Sequence, residues 1–334
     1  MRTIVLILHR LAWFVPTLLG LMLIVFLISH VIPADPVSQL AGEQATKQQI
    51  AEVRARYGLD QPLPVQFYRY LKAVVSGDMG ISLYTQRPIS EDLLTRVPAT
   101  LELTIVTVIL AGLVGVPLGV LAAVRRNSLL DHALRLFTVS GLAIASFWLA
   151  ILLQILFSMK LGWTPLQARV SGWGPDHVTG FFVIDALLMR DMEVLRNVLS
   201  HMVLPVLTLS FPAMATIVRF TRAGVINAIN SNYVLYERAM GLPERVVVWK
   251  YVLRNALIGT VTQIGLIFGL LLAGAVVVES VFDWPGLGLY AVNSILRSDY
   301  NGIMGFTLVT GAIFIVVNLV VDIMHGMIDP RAAG

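Results

Sequence analysis

The stretch Tyr233-Val234-Leu235-Tyr236-Glu237-Arg238-Ala239-Met240-Gly241-Leu242-Pro243 stands between two apolar runs, Met202–Val218 and Ala256–Val278. From Arg219 to Met240 the chain is helix-compatible and charged at intervals. Gly241 ends that helix, because a residue without a Cβ takes a positive φ at little steric cost. Pro243 then suits the first turn of a new helix, with Glu244 near its positive end. This second helix is expected to reach about Asn255 and lead into the next apolar run. The pattern predicts a rigid helix–turn–helix block over 219–255. Spacing alone leaves two readings open. One is a solvated basic loop, and the other is a lever that passes a soluble partner's push onward as rigid-body motion.

Outward from this block, six stretches read as membrane spans: Leu11–Ile32, Leu101–Val124, Leu136–Met159, Met202–Val218, Ala256–Val278 and Ile303–Val321. Each has about 17–24 residues, near what a helix needs to cross roughly 30 Å of hydrocarbon. The composition agrees. Hydrophobic residues make up 57%, charged residues 13%, and mean hydropathy is +0.80. An ordinary soluble domain carries about 25% charge. An ordinary soluble enzyme and a disordered chain are both excluded. The first run ends in His30-Val31-Ile32-Pro33-Ala34-Asp35-Pro36 without a small-x-small cleavage site, so it reads as a retained anchor.

Charge bias sets the orientation. One set of flanks holds Arg2, Arg10, Arg125, Arg126, Arg135, Arg219, Arg222, Arg238, Arg245, Lys250, Arg254 and Arg331, against Asp131, Glu237, Glu244 and Asp329. The opposite flanks are net acidic. The positive-inside rule places the first set, the 219–255 block and both termini in the cytoplasm. The chain then divides into residues 1–32 as tip and first span, 33–100 as an extracytoplasmic loop with short helices, and 101–334 as a five-helix core. That core includes a second outer loop, 160–201.

In the 33–100 loop, Gln44–Tyr57 reads as a helix capped by Thr46 with Gln49 and stopped by Gly58. A second helix is expected from Pro64 to Ser76, with Phe67, Tyr70, Leu71 and Val74 on one apolar face. Its role is either a cap over the bundle or a docking or gating element. The outer stretches Gly172-Trp173-Gly174-Pro175 and Phe282-Asp283-Trp284-Pro285-Gly286-Leu287-Gly288-Leu289-Tyr290 permit tight re-entry, with Trp and Tyr favouring the headgroup level.

Several chemistries are missing from the sequence. There is no Cys, so disulfides and thiolate sites are excluded. The six His show no metal-ligand spacing, and no GxxxxGK[ST] phosphate loop occurs. Gly286-x-Gly288 lacks the third glycine and setting of a dinucleotide site. No dense basic stripe points to nucleic acid. Glu102, Glu279 and Asp322 sit near span ends, where they are expected to reach water. Gly115-x-x-x-Gly119 and Gly265-x-x-x-Gly269 allow close helix approach, either as packing seams or as gate contacts.

The 219–255 block resembles the coupling loop of permease subunits in binding-protein-dependent ABC importers. The narrower likeness is to the dipeptide/oligopeptide branch. It is carried by Tyr233-Val234…Arg238-Ala239-x-Gly241-Leu242…Leu253-Arg254-Asn255-Ala256-Leu257. Other stretches agree in order: Pro33-x-Asp35-Pro36, Tyr57-Gly58-Leu59-Asp60-Gln61-Pro62-Leu63-Pro64, Gly77-Asp78-Met79-Gly80-x-Ser82, and Arg96-Val97-Pro98-Ala99-Thr100-Leu101-Glu102. They continue with Ser146-Phe147-Trp148, Leu161-Gly162-Trp163, Val278-Glu279-x-Val281-Phe282-x-Trp284-Pro285-Gly286-Leu287-Gly288 and Asp299-Tyr300. Departures are Glu237 where alanine is usual, Thr164 where leucine is usual, and Gly259 where a proline is common. Gly259 is expected to loosen the junction between the block and its span. Residues 167–200 read as an outer insertion that affects receptor docking or gating.

The resemblance implies an all-α integral membrane protein with the type I ABC importer permease fold, six spans and a cytoplasmic coupling helix. It implies docking of Glu237, Arg238, Ala239, Gly241 and Leu242 on an ATP-binding subunit, with Glu237 and Arg238 pairing across that interface. It further implies a second homologous permease, two ATP-binding subunits, an extracytoplasmic solute-binding protein and peptide cargo. ATP and Mg would act on the partner subunits, with no cofactor in this chain and the bacterial inner membrane as its place. Nickel or glutathione cargo is the alternative within this machinery. An integral membrane enzyme or a lone ion-coupled carrier is the alternative outside it.

Overall fold

A computed structural model describes residues 15–27, 46, 48, 60–82, 84–175 and 178–328, with only the backbone course of 273–274 and 322–328. The expected helix Gln44–Tyr57 is described only at 46 and 48. That helix, both ends of the first apolar run, the Asp322 side chain and the two termini lie outside the described residues.

In chain order the helices are α1 (Val15–Leu27), α2 (Leu63–Val75), α3 (Ile89–Val124), α4 (Leu129–Ala143), α5 (Ser146–Lys160), α6 (Phe182–Met189), α7 (Met192–Ile229) and α8 (Asn232–Ala239). Next comes α9, which runs as Glu244–Val246, a π-helical Val247–Val252 and Leu253–Val281. It is followed by α10 (Leu287–Leu296) and α11 (Tyr300–Ile328). Four of these, α3, α7, α9 and α11, contain apolar stretches long enough to cross a membrane, and α4 with α5 would make a fifth. The protein is therefore an all-α, multi-span membrane protein.

The third expected span is not straight. α4 and α5 meet at 103° because Ile144 and Ala145 are both extended. Neither Gly nor Pro stands at the bend, so no local breaker announces it. The fourth span is much longer than its apolar centre. At 1.5 Å per residue the 38 residues of α7 extend about 57 Å. Asp191 starts it by accepting from the Glu193 and Val194 amides at 3.0 Å each, and Pro205 and Pro212 lie inside without ending it.

α7 is the axis of the bundle. Its buried face packs against α3, α4, α5, α6 and α9 around Leu103, Val198, Leu204, Leu209, Ile217 and Val278. On α2, Phe67 and Tyr70 lean on the buried Phe26 of α1, with ring centroids 5.2 and 5.9 Å away. The predicted apolar face of the second loop helix is thus seated on the first apolar run.

Candidate functional site

The 219–255 block is two helices, not one, before its turn. α7 stops at Asn230, and Ser231 takes the extended N-cap conformation that starts α8. Asn230 and Ser231 turn their side chains onto the Ile226 and Ala228 carbonyls, the local bonding by which these residue types compete with a continuing helix. That polar pair was the available signal for the break.

α8 closes as expected. Gly241 has φ +77°, its amide donates to the Arg238 carbonyl and the Leu242 amide donates to the Glu237 carbonyl. This pair of bonds is the Schellman arrangement, which needs a left-handed residue after the helix. Pro243 is the N-cap of α9, one place earlier than the sequence suggests, and Glu244 is its first residue. Val234 is fully buried, and with the half-buried Leu242 it joins Val120, Val225, Val247 and Val252, so the ends of α3, α7 and α9 hold α8. Leu235, Tyr236, Arg238, Ala239, Met240 and Gly241 face outward, and Glu237 is half-buried.

Arg238 pairs within its own chain. Its Nη2 and Nε donate to Glu244 at 2.5 and 3.2 Å across the turn. The neighbouring Glu244 carboxylate raises the guanidinium's pKa above its ordinary value. Both side chains are substantially exposed, so the pair contributes at most about 1 kcal/mol and mainly braces the turn. A groove of about 580 Å³ is lined by Phe220, Asn227, Ser231, Tyr233, Asn255 and Gly259, from α7, α9 and the start of α8.

An ion cluster centred on the buried Asp131 joins α4 to α7. Asp131 accepts from Arg222 Nε and Nη2 at 2.7 and 3.0 Å, and from Arg135 at 2.7 Å. The two-point geometry fixes the angle between these helices. In the sequence these residues stood only as flanking charges.

At the opposite end of the bundle, two carboxylates expected to reach water do not. Glu102 is 4% exposed and accepts from Arg169 Nε and Nη2 at 3.1 and 2.5 Å, and from the Val183 amide at 2.7 Å. Arg169 also donates to the Gly180 carbonyl and lies 3.7 Å over the Phe182 ring. These contacts tie Arg169 and Gly180 to α3. Close by, the Thr179 and Gly180 donors hold the Asp185 carboxyl below its ordinary range, although burial alone pushes it upward.

Glu279 has no exposed surface and accepts from the Thr100 hydroxyl at 2.7 Å and from the Gly288 and Leu289 amides at 2.6 and 3.2 Å. Trp284 and Tyr290 are buried within the protein too. The Trp284 indole donates to the Ala99 carbonyl at 3.0 Å. The signal for all of this was a lone acid inside an apolar run, which needs a partner wherever water is excluded. The sequence reading supplied water instead.

Both glycine pairs are at helix seams. A Cβ on Gly115 would stand 2.9 Å from Ile217, and one on Gly119 would stand 2.6 Å from Thr221 Cβ and 2.9 Å from the Val218 carbonyl oxygen, all on α7. Cβ atoms on Gly265 and Gly269 would collide with Val321 and Phe314 of α11. Gly259 lies inside the continuous α9, so the junction is not broken there. Among the described residues no three His, Cys, Asp or Glu converge on a metal geometry.

Residues 115–334 match the family described as binding-protein-dependent transport system inner membrane component, and residues 3–104 match the N-terminal part of such membrane components. The chain is 44% identical over 314 residues to the probable D,D-dipeptide transport system permease protein DdpB of Escherichia coli K12, covering 93% of this chain and 92% of that one. It is 38% identical over 330 residues to the dipeptide transport system permease protein DppB of the same strain, at 97% of each chain. It is 40% identical over 324 residues to the glutathione transport system permease protein GsiC of Salmonella paratyphi A, again at 97% of each.

Proposed function

This chain belongs to the family of binding-protein-dependent transport system inner membrane components, as a permease subunit, and from that premise we propose that it forms half of the pathway of an ATP-driven peptide importer. The observation that carries the cargo class is near-full-length similarity to permeases named for D,D-dipeptides and dipeptides. Glutathione, the cargo in the name of another relative, is itself a modified tripeptide, so the same class of backbone-bearing cargo covers it.

In this reading the chain has six spans with both termini in the cytoplasm. It pairs with a second homologous permease, and two ATP-binding subunits use ATP and Mg. An extracytoplasmic solute-binding protein delivers the peptide. α8 and the turn at Gly241 are the coupling element. What supports this is the outward-facing run Leu235–Gly241 seated by Val234 and Leu242 on the ends of three long helices. A push on α8 then moves α3, α7 and α9 together instead of bending a loop. The 33–100 segment, the 101–334 core and the 160–201 outer loop serve as receptor-facing cap, pathway and outer gate.

Affinity purification of this chain from native membranes tests the proposal. Recovery with a second permease and two ATPase chains, whose hydrolysis rises with a dipeptide-loaded receptor, is expected. Recovery alone, with uptake into ATP-free liposomes driven by an ion gradient, would overturn it.

The turn gives a sharper test. Nothing lies within 4 Å of a Cβ built on Gly241, so a side chain there meets only the backbone penalty of positive φ. Gly241→Val must move that residue out of the left-handed region and so redirect α8. Transport should fall at least tenfold (on the order of 1.4 kcal/mol or more in rate terms), with normal amounts of chain in the membrane. Wild-type transport by that variant would remove Gly241 from the coupling role.

A further inference from the structure

α10 is a half-length helix: ten residues reach about 15 Å, half the hydrocarbon thickness. It enters the bundle straight after α9, through the turn at Phe282–Gly286, and its first turn is buried. A helix N-terminus carries unpaired amides and partial positive charge, and both need a partner where water is excluded. α10 has no capping side chain of its own at Gly286. The partners come instead from two other helices. Glu279 on α9 accepts the Gly288 and Leu289 amides, and Thr100 on α3 accepts the Leu287 amide at 2.8 Å. The Thr100 hydroxyl then donates to Glu279, so its single proton has one assigned direction.

The backbone is cut to fit this arrangement. A Cβ on Gly286 would lie 2.5 Å from both Glu279 oxygens and from Thr100 Oγ1. One on Gly288 would strike the Val276 backbone and stand 2.9 Å from Glu279 Oε2. The carboxylate thus fills a cradle that only glycine leaves open. Two further ties cross the same boundary. The Trp284 indole holds the Ala99 carbonyl, and the Arg96 guanidinium lies 4.7 Å over the Tyr290 ring.

The geometry points to Glu279 as a positioning residue for transport. It makes the far end of α3, the 282–286 turn and α10 one body, so that α10 swings with α3 when the pathway opens. This rests on the importer reading above. A conformational cycle needs some contacts that persist and others that break. Three hydrogen bonds inside a glycine cradle, closed off from water, belong to the persistent kind.

The test uses the complete importer in proteoliposomes with loaded receptor. Absence of transport by the wild-type complex would strike the importer reading itself, so the variants are compared only with an active wild type. Thr100→Val keeps the side-chain volume but removes both the donor and the acceptor. Glu279→Gln keeps one oxygen for the two amides but turns its NH2 toward Thr100, so the Thr100 hydroxyl proton loses its acceptor. Glu279→Ala empties the cradle.

Each variant should hydrolyse ATP near the wild-type rate while moving less peptide per ATP, about threefold less for Gln and tenfold or more for Ala and Val. The receptor concentration at half-maximal rate should not change. Formate, small enough to enter the cradle, should restore several-fold of the lost coupling in Glu279→Ala and none in Thr100→Val. Wild-type coupling in an assembled Thr100→Val complex would overturn the assignment. So would a fall in hydrolysis and transport together that formate leaves unchanged, because that is the mark of a merely structural role.

Discussion

Arg169→Met will destabilise the folded chain by roughly 3–5 kcal/mol, the usual consequence of leaving one partner of a buried ion pair alone. Arg169 and Glu102 have side chains only 5% and 4% exposed. Without the guanidinium, Glu102 keeps one bond, from the Val183 amide, and its second oxygen loses both of its donors while still buried. The loop carbonyl of Gly180 loses its donor in the same step. Removing both charges should be much milder. In Arg169→Met/Glu102→Leu neither member of the pair is left alone, the buried Asp185 keeps its Thr179 and Gly180 donors, and the volume beside Phe182 and Trp284 stays filled. Melting of the purified complex in detergent would then rank the double variant well above the single one. Equal losses in the two would mean that the pair acts through its packing, not its charge. A single variant within about 0.5 kcal/mol of the parent would mean that water reaches Glu102 after all.

That contrast also explains what could be read from the sequence. The apolar centres of α3, α7, α9 and α11, the Gly241 turn and the α2 face follow from local rules: apolar length, a residue without a Cβ, and a helical repeat. Those rules act within a few residues, and the structure keeps them. The bend at Ile144–Ala145 does not follow from them. Three residues before it, α4 lies so close to α7 that a Cβ on Gly141 would stand 2.7 Å from Ala215 Cβ and 3.2 Å from the Phe211 carbonyl oxygen. Nor do the partners of Glu102 and Glu279. Arg169 is 67 residues away from one and Thr100 is 179 away from the other. An acid near a span end has two physical outcomes, water or a buried donor set, and one sequence does not say which neighbours converge. The coupling residues fall between these cases. The turn at Gly241 is local and legible, whereas the Arg238–Glu244 pairing depends on how that turn folds back and is not, since an exposed arginine on a docking helix serves an interface equally well.

The glycine seams let packing be separated from helix propensity within one chain. Gly119→Leu should cost about 3 kcal/mol or more, since overpacking a tight contact forces backbone shifts. The first added carbon already lies 2.6 Å from Thr221 Cβ and 2.9 Å from a main-chain oxygen, and main chain cannot rotate away as a flexible side chain can. Four residues before it, Gly115 meets Ile217 along the same line of α7, so α3 and α7 cannot separate at one point without opening the other. Thr221 in turn stands 3.3 Å from Thr260 on α9, which carries the disturbance to a third helix. Gly259→Ala is the counterpart. It too is a helical glycine, yet a Cβ there meets nothing within 4 Å. With no clash to oppose it, the gain in helix propensity of up to about 1 kcal/mol should appear as a higher melting temperature. Opposite signs at 119 and 259 would show that the α3–α7 seam, and not the glycine content of the helices, holds this end of the bundle together. A Gly119→Leu chain that assembles and melts like the parent would mean that the two helices stand further apart in the membrane, and the seam would then qualify as a moving contact of the gate.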